Sequence, residues 1–398
     1  MTEFNQTGKN ILVLFAKDTN SVFSRKSALG SYILSLCALM KEYGNHKFYI
    51  NGVDNDVPKS TITSIVEPIS NSKFSFIKKT LPEKIIRVAK DIRLLNQHLQ
   101  LEKKLKNLTN IDVVLEFYSY GSLVGYNLSK RLNVPLIVIY DAPIIDEYVF
   151  FNHSLPFFFN KVKLREKRTL IQASSIVVYS NPMKDYIFKI TRNKSNIRIH
   201  QNVDFTRFDI IKNREFNSKI NIGFIGSFLR WHRVDLLIEV YTKLKKQGKD
   251  VALYLLGDGE EFHKVKKEVE LNEFSKDIFL TGFVDNKELS DLKQKIDIGV
   301  MPSSNWYGAP NKIFEYAASS MAVVAPDTPT IVDLFENENE LLLFKNESSE
   351  ELYIALLKLI ENPQLMNYLS LNLQNKIKQK YSKSNTFNFY NEILLTLK

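Results

Sequence analysis

A lysine and a glutamate three residues apart, Lys312 and Glu315, stand in the otherwise apolar stretch YGAPNKIFEYAASSMAVVAPD at residues 307–327. The pattern predicts a helix opening near Asn311 after a Gly-Ala-Pro turn, with both charges on one face and Ile313, Phe314, Ala317 and Ala318 on the apolar stripe. The start of a helix presents unpaired N–H groups and the positive pole of its dipole, so an anion is welcome there and a lysine strengthens the attraction. On this segment alone, an i, i+3 ion pair on a solvated face is the simpler account.

Other loops at predicted strand ends shift the balance towards binding chemistry. GSFLRWHR (226–233, opening on Gly226 and Ser227), GDG (257–259, from Gly257) and TGFVD (281–285, with Phe283) join SNWYGAPNK (304–312) along one expected sheet edge. Loops at the carboxyl ends of parallel strands converge on one pocket. There Lys312 with Arg230, His232 or Arg233 can clamp a diphosphate from two sides. Glu315, acceptor-only when ionised, can hold a pair of sugar hydroxyls.

The elements that must position these loops alternate in type. NILVLFA, a polar loop and the helical YILSLCALMKEYG open the chain, followed by the strands IDVVLEF, PLIVIY and SIVVYS with helical stretches between them. The pattern restarts at KINIGFIGSF and runs strand, helix, strand through ELLLF, with helices from Ser349 onward. Such alternation predicts α/β architecture with parallel sheets covered on both faces. Two doubly wound domains are expected, at residues 1–203 and 204–380, with a last helix at 381–398 packing back towards the first domain.

The 398 residues are 44% hydrophobic and 25% charged, an ordinary globular balance with room for two cores. The single cysteine, Cys37, lies among apolar neighbours and reads as a core thiol. The six histidines lack metal-ligand spacing, so no metal site and no cofactor are expected. No stretch has the length and apolarity of a signal or a membrane span, which makes a cytoplasmic protein the expectation. Net charge is uneven: +13 over residues 1–200 and −3 over the remainder. A basic first half suits a polyanion, and an anionic membrane surface is expected rather than nucleic acid, for which no recognition motif is present. A Lys/Asn-rich coding bias would produce part of the excess without function. From Pro82, a helix is expected with Ile85, Val88, Ile92, Leu95 and Leu99 on its core face and Arg87, Lys90 and Arg93 outward. Lys78, Lys79 and the aromatic segments 74–76 and 155–159 complete the proposed basic surface.

The run GFIGSFLRWHRVDLLIEVY…LYLLGDGEE…IFLTGFV…IDIGVMPS…YGAPNKIFEYAASSMAVVAPD resembles glycosyltransferase family 4, across residues 220–380. The segment IDVVLEFYSYGSLVGYNLSKRLNVPLIVIYDAP is similar to the first domain of one branch, less distinctively. The resemblance implies the GT-B fold, two Rossmann-like domains facing across a cleft, with the donor held mainly by the second and the acceptor by the first. It implies a retaining, metal-independent transferase that moves a sugar from a nucleoside-diphosphate sugar, a substrate and not a cofactor, to a lipid-linked, oligosaccharide or surface-polysaccharide acceptor.

Residue by residue, the resemblance makes Glu315 the second glutamate of an E-x7-E motif, gripping ribose hydroxyls. Gly308, Ala309, Pro310, Asn311, Lys312 and Ile313 become the loop whose amides approach sugar and diphosphate. It matches Gly226 to the glycine after the first strand, and Gly30 to a glycine loop closing over the donor. Departures are plain: Tyr307 replaces the first glutamate, and Ser227 and His232 stand where arginine and lysine are common, leaving Lys312, Arg230 and Arg233 as substitute cations. Asp141, where many members carry histidine, would lie near the reacting carbon. These departures also keep open a catalytically silent nucleotide-sugar-binding relative; a sugar-nucleotide epimerase fits the motifs less well.

Overall fold

The computed structural model describes residues 8–15, 28–54, 82–193, 195–201, 203 and 219–397. The chain divides into two compact units, residues 1–204 with 383–398, and residues 205–382. The junction expected near residue 204 lies outside the described residues, as do Lys78, Lys79 and the aromatic segment 74–76.

In the first unit, β1 (Asn10–Leu14), β4 (Val113–Phe117), β5 (Leu136–Ile139) and β6 (Ser175–Val178) are near-continuous apolar runs because helices cover the sheet on both sides. With β2 (Lys47–Ile50), β3 (Val53–Asp54) and β7 (Ile197–Ile199) they form a sheet of order β3-β2-β1-β4-β5-β6-β7, parallel except for the β2–β3 hairpin. The connecting helices are α1 (Ala28–Gly44), α2 (Glu83–Lys104), α3 (Val124–Leu132), α4 (Ile144–Asn152), α5 (Phe159–Gln172) and α6 (Asn181–Thr191). Cys37 is buried on α1, as a core thiol should be, and burial pushes its pKa up.

Gly30, expected in a loop, is buried in the first turn of α1. The apolar pattern of Tyr32, Ile33, Leu36 and Cys37 extends far enough back to carry Gly30 into helix, where the cost of glycine is small beside the burial gained by the rest.

The face of α2 also differs from expectation. Asp91 is wholly buried, accepting from the Tyr148 hydroxyl (2.7 Å) and the Phe157 N–H (2.7 Å), and buried His98 donates Nε2–H to the Tyr120 carbonyl (2.9 Å). These bonds rotate the helix so that Asp91, Leu95 and His98 face inward, while Ile85, Ile92 and Leu99 are exposed. A buried polar group with good partners competes with apolar residues for the interior, and here two of them fix the rotation.

The second unit has strands β8 (Ile220–Ile225), β9 (Val251–Leu256), β10 (Ile278–Gly282), β11 (Ile298–Val300), β12 (Ala322–Pro326) and β13 (Leu342–Phe344). They form a parallel sheet of order β10-β9-β8-β11-β12-β13. Helices α7 (Val234–Lys246), α8 (Phe262–Glu270), α9 (Asn286–Lys293), α10 (Asn311–Ala318), α11 (Pro329–Leu334), α12 (Ser349–Ile360) and α13 (Pro363–Lys380) connect and cover it. The order reverses between β8 and β11, and a doubly wound sheet opens its crevice at such a reversal.

Helix α14 (Lys383–Thr396) belongs to the first unit. Tyr390, Ile393 and Leu394 enter its core, the Tyr390 hydroxyl lies 2.9 Å from that of Tyr32, and His200 stacks on Phe389 at 4.3 Å.

Candidate active site

The β8–β11 reversal is held open by one side chain. β8 and β11 pair only at Ile222–Ile298 and Gly223–Gly299; beyond that the Tyr316 hydroxyl accepts from Ile225 N–H (3.1 Å) and donates to the Val300 carbonyl (3.2 Å). Tyr316 is fully buried, and its ring lies so close to Gly299 that a Cβ there would meet ring carbons at 2.5 Å. This wedge anchors α10, so the start of that helix, with Asn311 and Lys312, stands over the carboxyl ends of the two strands. Pro310 precedes the helix without a side-chain cap, and local carbonyls take most of the first N–H groups: Asn311 donates to Ala309 O (2.9 Å) and Ile313 to Pro310 O (2.9 Å).

Lys312 does not pair with Glu315. Its Nζ donates to His232 Nε2 (2.8 Å) and lies 5.5 Å from the centroid of the Phe224 ring. Its stem passes over Gly226, where a Cβ would meet Lys312 Cε at 2.7 Å. Burial lowers its pKa to about 8, with Glu315 acting in the opposite direction. His232 is buried, and its Nδ1 lies 2.6 Å from the Ser227 carbonyl, which can only accept, so Nδ1 carries the proton and Nε2 a lone pair. Desolvation first, and then the Lys312 charge, hold its pKa well below 6.5, so the ring is neutral. His232 is therefore not one of the cations expected around a diphosphate; it accepts from the cation that is.

Glu315 is ion-paired to Lys293 of α9, with Oε1 3.6 Å from Nζ, a little beyond hydrogen-bond reach. That oxygen is buried and has no hydrogen-bond partner, and Asn305 Oδ1 in the preceding loop is in the same condition. Two buried oxygens without a hydrogen-bond partner, one on α10 and one in the loop before it, fit a hydroxyl-bearing ligand.

The loops are joined by backbone. Gly226 N–H donates to Leu256 O (2.9 Å), Phe228 N–H to Asp258 O (2.9 Å), and Gly257 bridges to Gly282. Gly257 has φ +144°, and a Cβ on it would fall 1.9 Å from the Gly226 carbonyl oxygen, an approach only glycine allows. Gly308 is likewise confined: a Cβ would meet Ser304 Oγ at 2.7 Å. Asn346, after β13, pins this loop by accepting from Ser303 Oγ (3.0 Å) and donating to Ser304 O (3.0 Å).

The remaining expected residues are spread more widely. Tyr307 is buried with its ring edge-on to Trp306, Ala309 is half-buried, and Pro310 and Ile313 are buried. Ser227 is exposed and contributes its carbonyl to His232. Arg233, with φ +46°, ties its guanidinium to Asp235 (3.1 Å) and with Arg230 lines a separate cavity of about 120 Å³. Phe283 is 78% exposed at the end of β10. In the first unit, Asp141 is half-buried just beyond β5, and Tyr140 donates its hydroxyl to buried Glu166 (2.5 Å). Nothing local in the sequence singles out Lys293 or Asn346; Tyr316, a large aromatic in the apolar stretch of α10, carries the one local signal among these three. Among the described residues no group of three or more His, Cys, Asp or Glu could hold a metal ion, and no helix is long and apolar enough to cross a membrane.

Residues 206–378 match the family described as "Glycosyl transferases group 1". An uncharacterized glycosyltransferase of Methanocaldococcus jannaschii is 25% identical over 252 residues, 61% of this chain and 63% of its own. A poly(ribitol-phosphate) alpha-N-acetylglucosaminyltransferase of Staphylococcus aureus is 26% identical over 174 residues, 42% of this chain and 34% of its own. The chain thus spans less than two thirds of the length of these curated relatives. The crystal structure of HepE from Anabaena in complex with UDP-glucose aligns over 98% of this chain and 100% of its own, with TM-score 0.68 and 14% identity. The group 1 match spans the unit that holds Lys312 and Glu315, and the architecture is shared over nearly the whole chain, so the fold is that of GT-B glycosyltransferases and the second unit is similar to the group 1 family.

Proposed function

We propose that the protein transfers a sugar, with retention of anomeric configuration, from a nucleoside-diphosphate sugar to a polysaccharide or lipid-linked acceptor. One observation carries the reading: a half-buried lysine held by His232 and a carboxylate oxygen that has Lys293 at ion-pair distance but no hydrogen-bond partner, both on the first turns of α10, at the reversal of the second sheet. The ammonium and the positive pole of the helix dipole suit the diphosphate, and Glu315 Oε1 suits a ribose hydroxyl. Phe283 offers an exposed ring for the base, and Asp141 would orient the acceptor hydroxyl. Charge on the leaving diphosphate would be met by the Lys312 ammonium and backbone N–H groups, with no metal ion required. Support comes from the UDP-glucose bound to HepE and from the polymer acceptor and amino sugar in the name of the Staphylococcus aureus relative.

The test is a thermal-shift panel of nucleotide sugars followed by transfer assays in excess EDTA. A true donor at 100 times its Kd stabilises the folded state by about 2.7 kcal/mol, a readily measured shift. Glu315→Ala should raise donor Kd about tenfold or more while changing turnover less. A wild-type protein shifted by no nucleotide sugar, or Glu315→Ala with unaltered affinity, would overturn the assignment of this pocket.

The first unit would rest on an anionic membrane surface, keeping a lipid-linked acceptor close. Ile85, Ile92 and Leu99, seven residues apart, form an exposed stripe on α2, and Asp91 and Lys90 join that helix to the segment bearing exposed Phe151, Leu155 and Phe157. Lys84, Lys90, Arg93, Lys161 and Lys163 are exposed in the same elements. Each basic residue near an anionic bilayer contributes about 1 kcal/mol. Co-sedimentation with anionic but not zwitterionic vesicles is expected, weakened by high salt and by Ile92→Gln with Leu99→Gln. Equal recovery with both lipids would make a soluble acceptor the better reading.

A further inference from the structure

His232 offers a second inference at this site, one that rests on reading Lys312 as the cation facing the leaving diphosphate. We propose that His232 is a positioning residue for Lys312: the Ser227 carbonyl locks its ring in the Nδ1–H tautomer, and the Nε2 lone pair then fixes the ammonium above Gly226.

The geometry leaves little choice. A carbonyl 2.6 Å from Nδ1 cannot donate, so the proton must sit on that nitrogen, and Nε2 at 2.8 Å from an ammonium must accept. His232 occupies a 3-10 turn, residues 230–232, whose next residue has positive φ, so the ring reaches the core side of the loop while Arg230 remains outside. The Phe224 ring lies 5.6 Å from the imidazole and 5.5 Å from Nζ, so one aromatic face packs beside both. Gly226 supplies the gap through which the lysine stem reaches Nε2. A lysine side chain has four flexible bonds, and a single acceptor at its tip selects one of many positions. The charged groups facing this pair are Glu315 on α10 and, beyond it, Lys293 on α9. The imidazole does not touch the donor in this scheme: it decides where the charge of Lys312 stands.

Two measurements on the full chain test this. The first is the long-range ¹H–¹⁵N histidine spectrum, with His232 assigned from its loss in His232→Gln. The Nδ1–H tautomer is expected in the wild type, and Lys312→Gln should raise the ring's titration midpoint because a neighbouring positive charge has gone. The Nε2–H tautomer, or a midpoint indifferent to Lys312→Gln, would overturn the pairing. The second is kinetic: His232→Leu should lower kcat tenfold or more with donor KM within threefold, and His232→Gln, whose side-chain carbonyl reaches a similar position, should recover most of the loss. A loss residing in KM with kcat unchanged would mean that the histidine grips the donor itself, against the proposal. Melting temperatures of both variants separate these effects from loss of fold. If no nucleotide sugar is turned over, the transferase reading fails, and the tautomer measurement still decides the pairing.

Discussion

Lys312→Ala is expected to lower kcat at least 100-fold while leaving donor affinity within about tenfold of wild type. In the proposed transfer, negative charge builds on the diphosphate as its bond to the sugar breaks, so a fixed cation interacts more strongly with the transition state than with the bound donor. Removing one preorganised donor of this kind costs about 3–4 kcal/mol, or 10²–10³ in rate. The ammonium must be protonated to act. With its pKa lowered to about 8 by burial, kcat/KM should be flat below that value and fall as pH rises through it. In kcat the fall should move to higher pH, because a bound dianion stabilises the ammonium. Lys312→Arg should lose the alkaline fall altogether, and a wild-type profile flat to pH 10 would refute the assignment of Lys312.

Gly257→Ala should damage both stability and donor binding. The residue combines φ +144° with a backbone contact in which a Cβ would fall 1.9 Å from the Gly226 carbonyl oxygen, so a methyl group must push apart the two loops that flank the pocket. Strain and overpacking together amount to about 3 kcal/mol. At roughly 2–4 °C per kcal/mol for a unit of this size, the melting temperature should drop by about 6–12 °C. Gly248→Ala is the control. It also has positive φ, +76°, but nothing lies within 4 Å of its Cβ position, so only the backbone term of about 1 kcal/mol remains. Equal losses in the two variants would show that the Gly226–Gly257 contact adds nothing.

The parallel sheets were legible because their strands are short apolar runs punctuated by glycine and followed by periodic helices. β8, β9, β12 and the helix opening at Asn311 fall where local pattern places them. The face of α2 was not legible. The spacing of Ile85, Val88, Ile92, Leu95 and Leu99 fits a buried stripe, and what overrides it are bonds from Asp91 to groups 57 and 66 residues away and from His98 to one 22 away. Helix α4 is illegible for another reason: IIDEYVFFN is apolar on most sides and buries only Ile144 and Tyr148, so it offers no helical period to read. The site divides in the same way. Lys312 and Glu315 announce themselves as charges in an apolar run. Their partners, His232 across 80 residues and Lys293 on another helix, are set by the fold, and with them the outcome that the two charges do not pair with each other.

Helix α14 has a consequence for how the protein is made. The first unit's core includes Tyr390, Ile393 and Leu394, which join α1 and the early strands although the 178 residues of the second unit intervene. At synthesis rates of about 5–20 residues per second, the ribosome needs roughly 10–40 seconds to cross that interval. Throughout it, the side of the first sheet that α14 covers has no cover from its own chain. The unit translated first is thus the unit completed last, and during that delay it presents an apolar surface for which chaperones, and other nascent copies, compete.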